Sequence, residues 1–294
     1  MMHIGFVGLG HMGLPMALRL LQAGHSVLAY DVNPTALTAW ADAGGKIATD
    51  LPTLASASEA ILTMLQTGTQ IRDVCLGPNG LFQHAAANTL YINCSTIDVD
   101  TARAIHDLAL DHGLLSLDAP VSGGVAGAEA GTLTFMVGGD KTVFEQAQPL
   151  FAHMGKQVIY VGAAGLGQAA KTCNNLVLGI SMIAVSEAFL LAQSLGLSAE
   201  IFYEVISQAS GRCWVTERYL PVPDVLPNVP ANHAYAPGFS AQMMLKDLRL
   251  SQESASTQKM NTPMAALATH LYTEMVAAGD GNLDFSAIIQ YLNG

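Results

Sequence analysis

Near the start of the chain a β-prone run containing Ile4, Phe6 and Val7 leads directly into Gly8, Leu9, Gly10, His11, Met12 and Gly13. Apolar residues at helical spacing follow at Ala17, Leu20 and Leu21. A strand that feeds a helix through the pattern GxGxxG is the opening of a βαβ unit, because each glycine meets a separate demand. Gly8 makes the tight turn, Gly10 lets a ligand approach the backbone, and Gly13 lets helix and strand pack closely. The amides at the start of such a helix attract a diphosphate. Three glycines alone read equally well as a flexible turn; their neighbours decide the matter. The next β-prone run ends in Asp31, 18 residues after Gly13, near the spacing of the acid that binds the adenosine ribose of a dinucleotide.

The same acid discriminates between cofactors. Its carboxylate accepts hydrogen bonds from ribose hydroxyls and repels a 2′-phosphate. No Lys or Arg lies between Arg19 and Lys46, and Val32, Asn33, Pro34 and Thr35 supply no cation after the strand. The expected cofactor is NAD rather than NADP.

Up to about residue 160 short β-rich runs alternate with helical stretches, the pattern of a mostly parallel sheet covered by helices on both faces. Strands are expected over 4–7, 27–30, 60–64, 89–93 and 115–118, with 133–137 and 158–161 extending the sheet. From Gly165 onward the pattern is helical, with one long helix over 168–195 and others from Ala199, Phe239 and Thr262. The expected architecture is α/β: a Rossmann-type, doubly wound, mostly parallel sheet over residues 1–163, then an all-α domain for substrate binding and oligomerisation over 164–294. Pro221, Pro223, Pro227, Pro230 and Pro237 predict a non-helical surface loop within the second domain.

Composition removes several function classes. The formal charge of −11 and twelve scattered Lys and Arg residues argue against a nucleic-acid partner. Mean hydropathy is positive, so the apolar stretch 176–195 has to be weighed against a membrane span. Asn174 and Asn175 begin it, and Ser181, Ser186, Glu187 and Gln193 interrupt it. A buried interface helix is the better reading. The apolar N-terminal stretch has no basic region before it, which is unlike a signal peptide, and the chain reads as cytosolic. Cys75, Cys94, Cys173 and Cys213 are far apart, with no CxxC pair and no interleaved histidines. They are expected to be buried free thiols, with no metal site.

Three segments carry candidate chemistry. In 118–124, which reads DAPVSGG, the amides of Ser122, Gly123 and Gly124 and the Ser122 hydroxyl form a possible nest for a carboxylate at a strand end. A plain tight turn is the structural alternative. In 165–175, which reads GLGQAAKTCNN, Lys171 and Asn175 stand four apart on one helix face. Desolvation lowers a lysine pKa and makes a proton acceptor of it, and Asn175 can orient substrate without adding charge. A lysine with its head group in water is the alternative. In 238–247, which reads GFSAQMMLKD, Lys246 beside Asp247 reads as an ordinary ion pair of little energetic weight.

Together these residues resemble a known family. GFVGLGHMGLPMA over 5–17, DAPVSGGVAGAEAGTLTFMVGG over 118–139, GQAAKTCNN over 167–175 and the Lys246-Asp247 segment resemble the β-hydroxyacid dehydrogenases, in the same order and over nearly the whole chain. Within that family SGRCW over 210–214, with Tyr219, Pro221, Val222 and Pro223, is similar to the 3-hydroxyisobutyrate dehydrogenase group. The resemblance implies that Lys171 is catalytic, that Ser122, Gly123 and Asn175 bind substrate, and that Thr96 and Lys246 sit near the nicotinamide. It also implies an active site between two domains and a homodimer or homotetramer. One departure is visible: the family often has Pro after the Met-Leu pair ending the fourth strand, and here Gln66 follows Met64 and Leu65 in a loop near the adenosine.

The expected reaction is NAD-dependent oxidation of a small 3-hydroxy acid to its semialdehyde, with 3-hydroxyisobutyrate and serine as candidates. Trp214, Tyr219 and Phe239 are candidates to wall the pocket around the 2-substituent, with core packing as the alternative. Reduction of a small semialdehyde, such as tartronate or succinate semialdehyde, and a non-catalytic NAD sensor are the rival functions. Asp31 generates a direct test: kcat/KM measured with both cofactors is expected to be far higher for NAD, and equal or better values with NADP would contradict the assignment.

Overall fold

The computed structural model describes all 294 residues. They divide into two compact units, Met1–Lys171 and Thr172–Gly294.

The first unit is built on nine strands: β1 (His3–Val7), β2 (Ser26–Tyr30), β3 (Lys46–Ile47), β4 (Ala60–Thr63), β5 (Leu90–Asn93), β6 (Leu115–Asp118), β7 (Val121–Ser122), β8 (Leu133–Gly139) and β9 (Gly155–Gly162). Six of them lie parallel in the order β3-β2-β1-β4-β5-β6. β8 then pairs antiparallel to β6, and carries β7 antiparallel and β9 parallel. The order reverses direction beside β1, between β1 and β4, and such a switch point leaves a crevice at the carboxyl ends of the strands.

Alternation along the strands produces the two covered faces. Ile4, Phe6, Ala60, Leu62, Leu90 and Ile92 point into one apolar layer, whereas Val7, Ile61 and Tyr91 point into the other. This is the period-two signature of a sheet buried on both sides. The expected strands agree with the observed ones to within a few residues, but the two-residue strands β3 and β7 have too little apolar sequence to announce themselves. The Gly8 amide donates to the Tyr30 carbonyl, and Met64 N donates to Val7 O, so the ends of β1, β2 and β4 are tied together.

The second unit is helical. The long helix Leu166–Ser194 enters it from the first, and the helices Ala199–Gln208, Trp214–Arg218, Ala241–Thr257, Pro263–Ala277 and Ile288–Asn293 follow. By length and composition the long helix is apolar enough to cross a membrane. Met182, Ile183, Val185 and Phe189 on it are buried in the core of the helical unit. The expected boundary after residue 163 precedes this helix, whereas the compact units part after Lys171. The first turn of the helix is bonded to the first unit through Asp118 and Gln168, which moves the division into the helix itself.

Two expectations need correction here. The proline-rich stretch is not simply a surface loop: it contains a 3-10 turn, Pro230–His233, and buries Val229, Ala231 and Tyr235 in the helical core. Prolines break a helix but leave apolar residues between them free to pack. The four cysteines are free, but only Cys75 and Cys94 are buried; Cys173 is exposed and Cys213 half-buried.

Asp284 organises much of the second unit from a fully buried position. Its Oδ2 accepts from the Tyr219 hydroxyl at 2.8 Å and from the Gly238 and Phe239 amides at 3.0 Å. Its Oδ1 accepts from the Ser286 amide and hydroxyl at 3.0 and 2.7 Å. Removing the carboxylate strands several buried donors at once, so Asp284→Ala is expected to lower stability by about 3 to 5 kcal/mol in urea denaturation. A loss under about 1 kcal/mol would show that these donors find other partners.

Candidate functional site

The three glycines of the first loop are there for different reasons. Gly8 has φ +98°, and a Cβ there would lie 2.3 Å from the Met64 carbonyl oxygen. A Cβ on Gly13 would lie 1.8 Å from the Gly8 oxygen. Internal packing therefore demands glycine at both positions. Gly10 has nothing within 4 Å of where its Cβ would be and is exposed. The protein itself gives no steric reason for glycine there, which fits a backbone left bare for a diphosphate. The helix Gly13–Gln22 starts just beyond; in its first turn the Leu14 amide donates to the Gly10 carbonyl and the Met16 amide to the Met12 carbonyl, and Pro15 has no amide hydrogen.

Asp31 ends the second strand's path toward this loop. One carboxylate oxygen accepts from the Leu9 amide at 2.5 Å and the other from the Asn33 amide at 2.7 Å. The acid thus locks the glycine loop to the end of β2 while remaining half-exposed. Arg19, the nearest preceding cation in sequence, is directed to the His153 carbonyl at 3.4 Å. His11 and Met12 lie in the same loop, Met12 as N-cap of the helix.

Two more loops at strand ends are joined to one another. The Leu65 amide after β4 donates to Ser95 Oγ at 2.8 Å, and the Ser95 amide after β5 donates to Asn93 Oδ1 at 3.0 Å. Thr96 follows directly. In the Leu65 loop, the Gln66 amide donates to Gln70 Oε1 at 3.0 Å, tying it to the helix Gly68–Leu76.

Asp118, at the end of β6, is 4% exposed and accepts from the Gly165 and Gln168 amides at 2.7 and 2.9 Å. Burial pushes its carboxyl above the usual range, and these amides pull in the opposite direction. Asp118 opens the segment expected to hold a carboxylate through Ser122, Gly123 and Gly124, and its own carboxylate is the acceptor for the start of the long helix. Lys171 sits on that helix and is buried, with 8% exposure. Ser122 lies in β7, and Gly123 and Gly124 adopt φ +137° and +64° as the N-cap and first residue of a short helix, Gly124–Ala130. Their backbone conformation is one that L side chains rarely adopt.

In the helical unit Asn175, buried to 1% exposure, donates through Nδ2 to Asp247 Oδ2 at 2.5 Å. Lys246 Nζ lies 3.3 Å from Asp247 Oδ1. This pair is not the ordinary surface ion pair expected, because the Asp247 side chain is only 4% exposed and also holds Asn175. No local pattern marks that partnership, since 72 residues separate the two.

The three aromatic candidates belong to one cluster. Trp214 stacks on Tyr219 with centroids 5.2 Å apart, and Phe285 bridges Tyr219 and Phe239 at 5.3 and 5.6 Å. Trp214 is 49% exposed, so it is not a core residue of this chain. Burial, reinforced by Asp284, pushes the Tyr219 phenol well above its usual range. Asp284 and Phe285 were missed in the sequence; a lone acid between Leu283 and Phe285 was the available sign.

Comparison with known proteins assigns the two parts of the chain to two families. Residues 3–162 match the family described as the NAD binding domain of 6-phosphogluconate dehydrogenase, and residues 165–292 the family described as NAD-binding of NADP-dependent 3-hydroxyisobutyrate dehydrogenase. The chain is 44% identical to a probable 3-hydroxyisobutyrate dehydrogenase of Mycobacterium tuberculosis, over 98% of this chain and 97% of that one. It is 43% identical to the NAD-dependent L-serine dehydrogenase of Pseudomonas aeruginosa, over 98% and 97%. The solved structure of the Mycobacterium tuberculosis 3-hydroxyisobutyrate dehydrogenase with L-serine covers 100% of both chains at 44% identity, with a TM-score of 0.94. The second family's description names NADP, whereas the Pseudomonas aeruginosa relative is named for NAD.

Asp31 orders the glycine loop and is the acid expected to accept from the ribose, so Asp31→Ala is expected to raise KM for NAD about 10- to 100-fold with little change in kcat. An unchanged KM in steady-state kinetics would remove Asp31 from the cofactor site.

Proposed function

Because the chain belongs to the β-hydroxyacid dehydrogenases, and within them to the 3-hydroxyisobutyrate dehydrogenase family, we propose that it oxidises 3-hydroxyisobutyrate or a close analogue such as L-serine to the semialdehyde, with Lys171 as the general base. The chain is an NAD-dependent hydroxy-acid dehydrogenase. What supports the residue assignment most is Lys171 itself: a lysine held almost out of solvent, one turn beyond the bonds that fix the start of its helix.

NAD, when bound, supplies the hydride acceptor. The residues that would hold it are Gly8, Leu9, Gly10, His11, Met12 and Gly13 at the diphosphate, Asp31 at the ribose, Leu65 and Gln66 near the adenosine, and Thr96 and Lys246 near the nicotinamide. Lys171 Nζ takes the proton of the substrate hydroxyl as the carbon loses hydride, and returns it in the reverse direction. Asn175, one helical turn on and fixed by Asp247, orients the hydroxyl. Ser122 and the Gly123 and Gly124 amides hold the carboxylate, supplying local donors in a chain whose net charge would repel an acid. Selection of the 2-substituent falls to Trp214, Tyr219 and Phe239. A methyl group there changes rates by only about 10- to 200-fold, whereas L-serine carries an ammonium group in its place, so 3-hydroxyisobutyrate and L-serine are tested side by side.

In this proposal residues 1–163 serve the cofactor, and 164–294 serve substrate and assembly. The working form is a cytoplasmic homodimer or homotetramer. Exposed Val177, Leu191, Leu195, Ile201, Val205 and Met264 on the helical unit supply apolar surface for association.

Lys171→Ala is expected to lower kcat about 100-fold or more while NAD still binds, as for loss of a general base. Near-normal turnover with intact NAD binding would refute the assignment.

A further inference from the structure

Gln168 carries no charge and is fully buried, and the reaction as written gives it no part. We propose that Gln168 is a positioning residue, which holds the loop bearing Thr96 in fixed register with the helical turn bearing Lys171. The proposal deepens the reading of Lys171 as the base and rests on it.

The side-chain amide bonds the backbone on both sides of Thr96. Nε2 donates to the Ser95 carbonyl at 2.8 Å, and Oε1 accepts from the Ile97 amide at 3.1 Å. One side chain thus pairs with the loop as the edge of a neighbouring strand would. The backbone amide of the same residue donates to Asp118 Oδ2 at 2.9 Å, so Gln168 is held from one side and holds on the other. Ser95 in turn accepts the Leu65 amide through Oγ. A continuous line of bonds runs from the Leu65 loop through Ser95 and Gln168 to Asp118, joining the ends of β4, β5 and β6 to the start of the long helix.

Lys171 is three residues beyond Gln168 on that helix, so its Cα is set by the same anchor. Ser95 and Ile97 are both buried, and their backbone groups cannot turn to water if the amide is lost. The loop has to move to find other partners. A hydride transfer tolerates little of that, because misplacement by about 1 Å can cost about 100-fold in rate. Glutamine suits the task where other residues do not: it has a donor and an acceptor at one end of a side chain long enough to span both groups, and it brings no buried charge.

Gln168→Met keeps length and burial and removes both bonds. It is expected to lower kcat about 100-fold while KM for NAD changes less than about threefold. The primary deuterium isotope effect on kcat, read with substrate deuterated at the reacting carbon, is expected to rise as hydride transfer becomes limiting. Gln168→Glu, protonated by burial, can repeat both bonds and is expected to keep kcat within about tenfold of the parent. If the Met variant does not fold by circular dichroism, Gln168→Asn carries the same expectation, since its shorter amide reaches only one of the two groups.

Parent values of kcat and isotope effect in the folded Met or Asn variant would overturn the proposal. So would an equal loss in the Met and Glu variants. Lys171→Ala measured alongside separates the two ideas: an active Lys171→Ala protein removes the base, whereas an inactive one beside unaffected Gln168 variants removes only the positioning role.

Discussion

A buried carboxylate at the end of β6 receives two backbone amides from the start of the long helix, and most of the proposed chemistry is placed through that contact. Asp118 accepts from Gly165 and Gln168, where the unpaired amides and the dipole of a helix favour negative charge. Burial works against the charge, and the amides offset it in part. The contact also dictates its neighbours. A Cβ on Gly167 would lie 2.6 Å from one Asp118 oxygen, and a Cβ on Gly138 would lie 2.6 Å from the other. Glycine is needed at both positions so that backbone can close around the carboxylate.

From this anchor the helix carries Lys171 and then Asn175, one turn apart. Gln168 links the same turn to the loop after β5, and Ser95 extends the link to the loop after β4. Asp31 does comparable work in the glycine loop, by joining it to the end of β2. Two acids therefore fix two strand-end loops. Each binds backbone amides.

Much of this was legible before any coordinates. Local signals were enough for the glycine loop, Asp31, the alternation of strands and helices, and the spacing of Lys171 and Asn175, because each depends on residues close together in sequence. What stayed hidden depends on distance along the chain. Asp118 and Gln168 are 50 residues apart, Asn175 and Asp247 are 72 apart, and Tyr219 and Asp284 are 65 apart. No spacing rule joins such pairs; the tertiary fold does. The two-residue strands β3 and β7 escaped for a different reason, since they exist through pairing with longer neighbours rather than through their own β preference. The proline-rich stretch misled because its breakers were more conspicuous than Val229, Ala231 and Tyr235 between them.

The proposed chemistry is one reaction at one lysine. Its most direct test is the formation of NADH, followed by near-ultraviolet absorbance, when the purified protein meets NAD with 3-hydroxyisobutyrate and, separately, with L-serine. Sustained NADH formation with at least one of the two is the predicted result. A protein that binds NAD yet forms no NADH with either acid, while reducing small semialdehydes of another class or none at all, would contradict it.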